Sequence, residues 1–87
     1  MHAIVTTVSV EDPRKARALL PSAREDLVSR APGIVSACWL EPIDGIGMSV
    51  LVFETVADAE IAANYPLPPM PGVTVLDLVL REVYAHV

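Results

Sequence analysis

Gly47-Met48-Ser49-Val50-Leu51-Val52-Phe53-Glu54 is apolar on both of its alternating sides. Successive side chains of a strand point to opposite faces of the sheet, so Met48, Val50 and Val52 share one side while Leu51 and Phe53 share the other. A strand with one wet face would alternate apolar with polar residues. This segment does not, so the sheet that contains it needs a cover on both faces. Immediately upstream, Asp44-Gly45 is a hairpin-turn dipeptide, and residues 34–41 (Ile-Val-Ser-Ala-Cys-Trp-Leu-Glu) form a further strand that pairs with 47–54 through that turn.

Working outward toward the N-terminus, Pro32-Gly33 closes a helix. That helix begins at Asp12-Pro13, where Asp12 caps free N–H groups and Pro13 sits where its missing N–H costs nothing. Ala16, Leu20, Ala23, Leu27 and Ala31 recur at spacings of three and four, giving an amphipathic helix to about Arg30, with a kink or break expected at Pro21. Residues 3–10 ahead of it (Ala-Ile-Val-Thr-Thr-Val-Ser-Val) are rich in β-branched types and read as a strand.

Toward the C-terminus, Thr55-Val56-Ala57-Asp58 resembles a capping box and opens a short helix that Pro66 stops near Asn64. Residues 65–72 hold four of the eight prolines and are expected to be extended and stiff. From Val73 a long strand follows, bulged or divided near Arg81, with Leu76, Leu78 and Leu80 expected on one face and Val73, Val75, Val79 and Val83 on the other.

The order is strand–helix–strand–strand–helix–strand. With right-handed crossovers this is an α+β fold, the ferredoxin-like plait: an antiparallel four-stranded sheet with both helices on one face, here a single domain over residues 1–87. Two helices cover one face only. The expected partner for the other is a second copy, giving a homodimer through the helix-free face of the sheet.

Composition removes several classes of function. No apolar run is long enough to span a bilayer, so no membrane partner is expected. The N-terminal segment lacks the basic-then-apolar order of a signal peptide, and the single cysteine, Cys38, allows no intrachain disulfide, so a cytoplasmic location is expected. The net charge of −5 argues against nucleic acid. The basic residues Arg14, Lys15, Arg17, Arg24 and Arg30 share their segment with Glu11, Asp12, Glu25 and Asp26, the pattern of a solvated helix face. No phosphate loop, nucleophile elbow, zinc motif or flavin motif is present, so no cofactor or metal is expected.

A plait of 87 residues with a double-sided sheet resembles the dimeric α+β barrel superfamily. Asp12-Pro13 opening the first helix, Pro32-Gly33-Ile34-Val35-Ser36-Ala37 entering the second strand, and Phe53-Glu54-Thr55 leading into the second helix resemble its antibiotic-biosynthesis-monooxygenase-like branch. The resemblance implies two sheets packed face to face across a dimer. It also implies a cofactor-independent monooxygenase or related enzyme acting on an aromatic small molecule. The alternative is a non-catalytic homodimeric module that binds a ligand or serves a structural role. Haem-degrading members use an Asn on the first strand and a Trp and a His near the second helix; this chain has Thr6 and Thr7 on the first and Asn64 and Tyr65 near the second, so haem degradation is not expected.

On the enzyme reading, Asn64 and Tyr65 are the candidate catalytic pair, with Trp39, Phe53 and Tyr84 as walls of a substrate site. Each also has a plain structural role. Trp39 and Phe53 suit a core, Asn64 suits a helix C-terminus, and Tyr84 packs with a wet hydroxyl. Cys38 has no base or cation beside it in sequence and reads as an inert thiol. In the plait the first and last strands are neighbours, so His2 and His86 could approach each other near Glu82 as a metal or proton-transfer site, against the plainer reading of two independent chain-end histidines.

Overall fold

In a computed structural model, residues 1–64 and 70–87 are described. The elements run β1 (His2–Val10), α1 (Pro13–Arg30), β2 (Ile34–Trp39), β3 (Ile46–Phe53), α2 (Val56–Asn64) and β4 (Val73–Glu82). All strand pairs are antiparallel and the sheet order is β2-β3-β1-β4, the ferredoxin-like α+β arrangement that the element order implies.

The local chemistry of each boundary is visible. The Asp12 carboxylate accepts hydrogen bonds from the Arg14 and Lys15 backbone N–H groups at 3.1 and 3.2 Å, and Pro13 occupies the first helical position. Asp12→Ala is therefore expected to cost about 1 kcal/mol, and Asp12→Asn much less, in urea denaturation. The helix does not break at Pro21: α1 runs unbroken from Pro13 to Arg30. Pro21 and Arg17 are both exposed, the surface setting in which water can take the place of the amide partner that a helical proline removes. Ala16, Leu20, Ala23 and Ala31 are half-buried and Leu27 is buried, so the inward line of α1 is the one its spacing implies.

The β2–β3 connection is a two-residue hairpin. Ile43 and Ile46 exchange backbone hydrogen bonds at 2.9 and 3.0 Å, while Asp44 (φ 53°) and Gly45 (φ 78°) both take positive φ. That pair of signs is what a type I′ turn needs, and it matches the strand twist. At the far end of the hairpin, Gly33 (φ 72°) accepts the Glu54 N–H at 2.9 Å, and the Asp58 side chain fills the space where a Cβ on Gly33 would sit. The start of α2 is thus seated against the turn that ends α1. The Thr55 hydroxyl accepts the Asp58 N–H at 3.1 Å, the forward half of a capping box.

The core lies between the sheet and the helices. Ile4, Leu51 and Phe53 from the central strands meet Leu27 of α1 and Ala59 of α2, with Ala31, Ile34, Ala37, Trp39, Ala62 and Ala63 packed around them. The small residues of α2 let it lie close to the sheet. Register places Ile4, Leu51 and Ala37 side by side, which makes this the helix face. Ala3, Val5, Thr7, Met48, Val50, Val52 and Cys38 consequently lie on the helix-free face.

The faces of β4 differ from the expected pattern. Thr6 pairs with Leu78 and Thr7 with Asp77, but Val8 pairs with Val75, so Leu76 is an extra residue in a bulge. Leu78 and Leu80 lie on the helix side. Past the bulge the phase flips, and Val75 and Val73 join them opposite Val8 and Val10 rather than sharing a face with Val79. The strand is bulged, as its length required, five residues ahead of the expected place near Arg81.

Candidate functional site

The candidate residues fall on three different parts of the molecule. Phe53 is 0% exposed at the centre of the core, and Trp39, at the end of the edge strand β2, is half-buried against that same core. Both lie on the helix side of the sheet and belong to the same core, with Trp39 opposite Ser49 and Phe53 opposite Ile34, four positions apart along β3. Trp39 reaches the helix side because β2 is bulged between Ile34 and Ser36, which restores Ala37 and Trp39 to the inward phase after Ile34.

Asn64 is the last residue of α2 and exposed; its side-chain amide donates to the Glu60 carbonyl at 2.9 Å. That bond satisfies one of the carbonyls left free at a helix C-terminus. Tyr65 lies outside the described residues, as does most of the proline-rich run expected over 65–72. Tyr84 follows β4 and is 95% exposed, beside Arg81 and Glu82 in a shallow surface groove. It is not joined to Trp39 and Phe53 in one pocket. A second shallow groove runs along α1 between Pro21, Arg24, Glu25, Val28 and Ser29.

His2 sits opposite Glu82 in the β1–β4 ladder, the neighbourhood the topology implies, and His86 is exposed beyond the end of β4. Among the described residues no three of His, Cys, Asp or Glu come together as a metal site. Cys38 is a free, exposed thiol on the helix-free face. The single ion pair found among the described residues joins Arg30 to Asp26 one turn apart on α1, at 3.0 Å. No helix among the described residues is long and apolar enough to cross a membrane.

The helix-free face is a further apolar surface that sequence reading located, exposed at Ile46, Met48, Cys38 and Leu40, half-buried at Val5, Val50 and Val79, and buried at Ala3 and Val52. Ile46, Met48, Val50 and Val52 from β3 line it, with Val5 from β1, Val79 from β4, and Cys38 and Leu40 at the β2 edge. Neither a family model, nor a curated protein, nor a solved structure matches the chain. What the protein does has to be argued from these surfaces.

Proposed function

We propose that this chain is a homodimeric module, similar to the antibiotic-biosynthesis-monooxygenase-like branch of the dimeric α+β barrels, that binds a small planar apolar molecule on the helix side of its sheet. The observation that supports it is the two-sided sheet: helices cover one apolar face over β1, β2 and β3, leaving Val75, Leu78 and Leu80 of β4 exposed on that side, and the opposite face, which has no helix on it, is also apolar. With strands ~4.8 Å apart and ~3.3 Å per residue, that open face measures roughly 500 Å² in projection. Burying it in both copies reaches the lower range of stable protein interfaces, about 1,200 Å² once surface relief is counted. The apolar part of that burial is worth on the order of 10 kcal/mol or more, which association costs of similar size partly offset.

Ligand binding rests on Trp39, which is partly exposed while it packs against the core cluster that contains Phe53. A partly exposed indole suits contact with a flat aromatic molecule. Oxygenation, on this reading, needs a substrate that forms its own carbanion and is oxidised by O2, with one oxygen atom entering the product and the other leaving as water; Asn64, at the end of α2 and bonded to the Glu60 carbonyl, is the catalytic candidate that the test addresses. The test is a panel of dihydroxynaphthalene-type compounds, read by both melting shift and oxygen uptake. A melting shift without uptake is the expected result for a binding module, and uptake that Asn64→Ala abolishes would establish the enzyme instead. Neither shift nor uptake across the panel would overturn the ligand reading.

A further inference from the structure

The geometry points to a two-fold axis lying across the helix-free face along the row Cys38–Val50–Val5–Val79, with Asp77 of each copy paired to Arg81 of the other. This rests on the homodimer proposed above and specifies its register. Strand pairing arranges the open face in three rows. The middle row is Cys38, Val50, Val5 and Val79. On one side of it lie Leu40, Met48, Thr7 and Asp77. On the other lie Ser36, Val52, Ala3 and Arg81.

A two-fold axis in the interface plane along the middle row reverses the strand direction and keeps each strand over its own counterpart. It therefore lays the first flanking row of one copy on the other flanking row of its partner. Leu40 then meets Ser36, Met48 meets Val52, Thr7 meets Ala3, and Asp77 meets Arg81. In each of the three uncharged pairings, of which Met48 with Val52 is the one apolar on both sides, the larger side chain faces the smaller. Exposure in the single chain follows the same sense: Leu40 and Met48 protrude at 51% and 41%, while Ala3 and Val52 are recessed at 6% and 7%. The sunken part is confined to Ala3 and Val52 in the middle of its row, whose ends Ser36 and Arg81 are exposed, and this operation brings it under Thr7 and Met48 of the partner copy.

Charge selects the same axis. Asp77 and Arg81 are the two charged residues that the described strands carry on this face, both exposed and flanking Val79 on the edge strand β4. An axis parallel to the strands would instead put β4 over the partner's β2, setting Asp77 against Leu40 and Arg81 against Ser36. Each charge would then lose water without gaining a counter-ion, which is costly. The axis along the middle row gives two reciprocal pairs at the rim of an apolar interface.

The experiment is a charge swap followed by sedimentation equilibrium, with circular dichroism to confirm that each variant is folded; both sites are exposed, so each should be. Asp77→Arg alone and Arg81→Asp alone each oppose like charges twice per dimer and are expected to weaken dimerisation at least ~10-fold. The double variant D77R/R81D recreates the pairs in reverse and is expected to return to within ~3-fold of wild type. A wild-type dimer whose double variant is as weak as the two single effects combined would overturn this register and leave the dimer standing. A wild-type monomer would overturn the dimer itself.

Discussion

Val50→Lys is expected to leave a folded monomer where the wild type is a dimer. Val50 lies in the middle of β3, half-buried on the helix-free face and flanked by Val5 and Cys38. In a single copy an ammonium group there extends into water and costs no more than the span of strand propensities, ~1 kcal/mol. In the dimer the two introduced charges are driven toward each other in a dry interface. Burial of an unpaired charge costs several kcal/mol per ion, and here it is paid twice with repulsion added. A loss of at least ~1,000-fold in dimer affinity follows, about 4 kcal/mol. Sedimentation equilibrium should report twice the 9.3 kDa chain mass for wild type and the chain mass itself for the variant. Leu78→Lys is the matched control: Leu78 lies on the helix side at the β4 edge, and the dimer should survive it. A Val50→Lys protein that remains dimeric would show that this face is not the interface.

The second large effect is in the core. Among the described residues Phe53 is the one large side chain with no exposed surface, and it clusters with Ile4, Leu27, Leu51 and Ala59. Phe53→Ala removes the ring and leaves a cavity that the surrounding strands cannot close, at a cost of about 3–5 kcal/mol. A domain of this size has roughly 4–13 kcal/mol of stability in total. The melting midpoint should drop by at least ~15 °C at equal protein concentration. Phe53→Leu, which keeps most of the volume, should cost only ~1–2 kcal/mol. A drop of a few degrees for the alanine variant would mean the sheet and helices do not depend on this contact.

Much of the architecture was legible because independent local signals agreed. Asp12-Pro13, Pro32-Gly33 and Asp44-Gly45 each mark a boundary by a mechanism that needs no tertiary partner, and the lines on α1 and β3 point where their periods say. The phase of β4 was not legible. Val73-Thr74-Val75-Leu76-Asp77-Leu78-Val79-Leu80 is apolar on both sides, so alternation carries no information about an inserted residue, and only pairing with β1 shows that Leu76 is the extra one. Of the kink or break expected at Pro21, the break does not occur: the residue is exposed, where water offsets a lost hydrogen bond. The candidate site was legible only in part. Trp39 and Phe53 share the helix side of the sheet because both follow the core pattern, whereas the position of Tyr84 depends on where β4 ends. The row structure of the open face was invisible until register aligned Asp77 with Thr7 and Arg81 with Ala3.

β1 lies inside the sheet, held between β3 and β4, although it comes first in the chain and β4 comes last of the strands. Contacts so distant along the chain are expected to form late, because loop closure has to be paid before they return anything. Until β4 docks, β1 is an open edge: Ile4-Val5-Thr6-Thr7-Val8, β-branched throughout, uncharged and free of proline. Those are the properties of a strand that recruits copies of itself. The most hazardous moment for this protein is therefore during folding, when the arrival of one strand decides between a closed sheet and an intermolecular one, and slow docking of β4 would be felt first as aggregation.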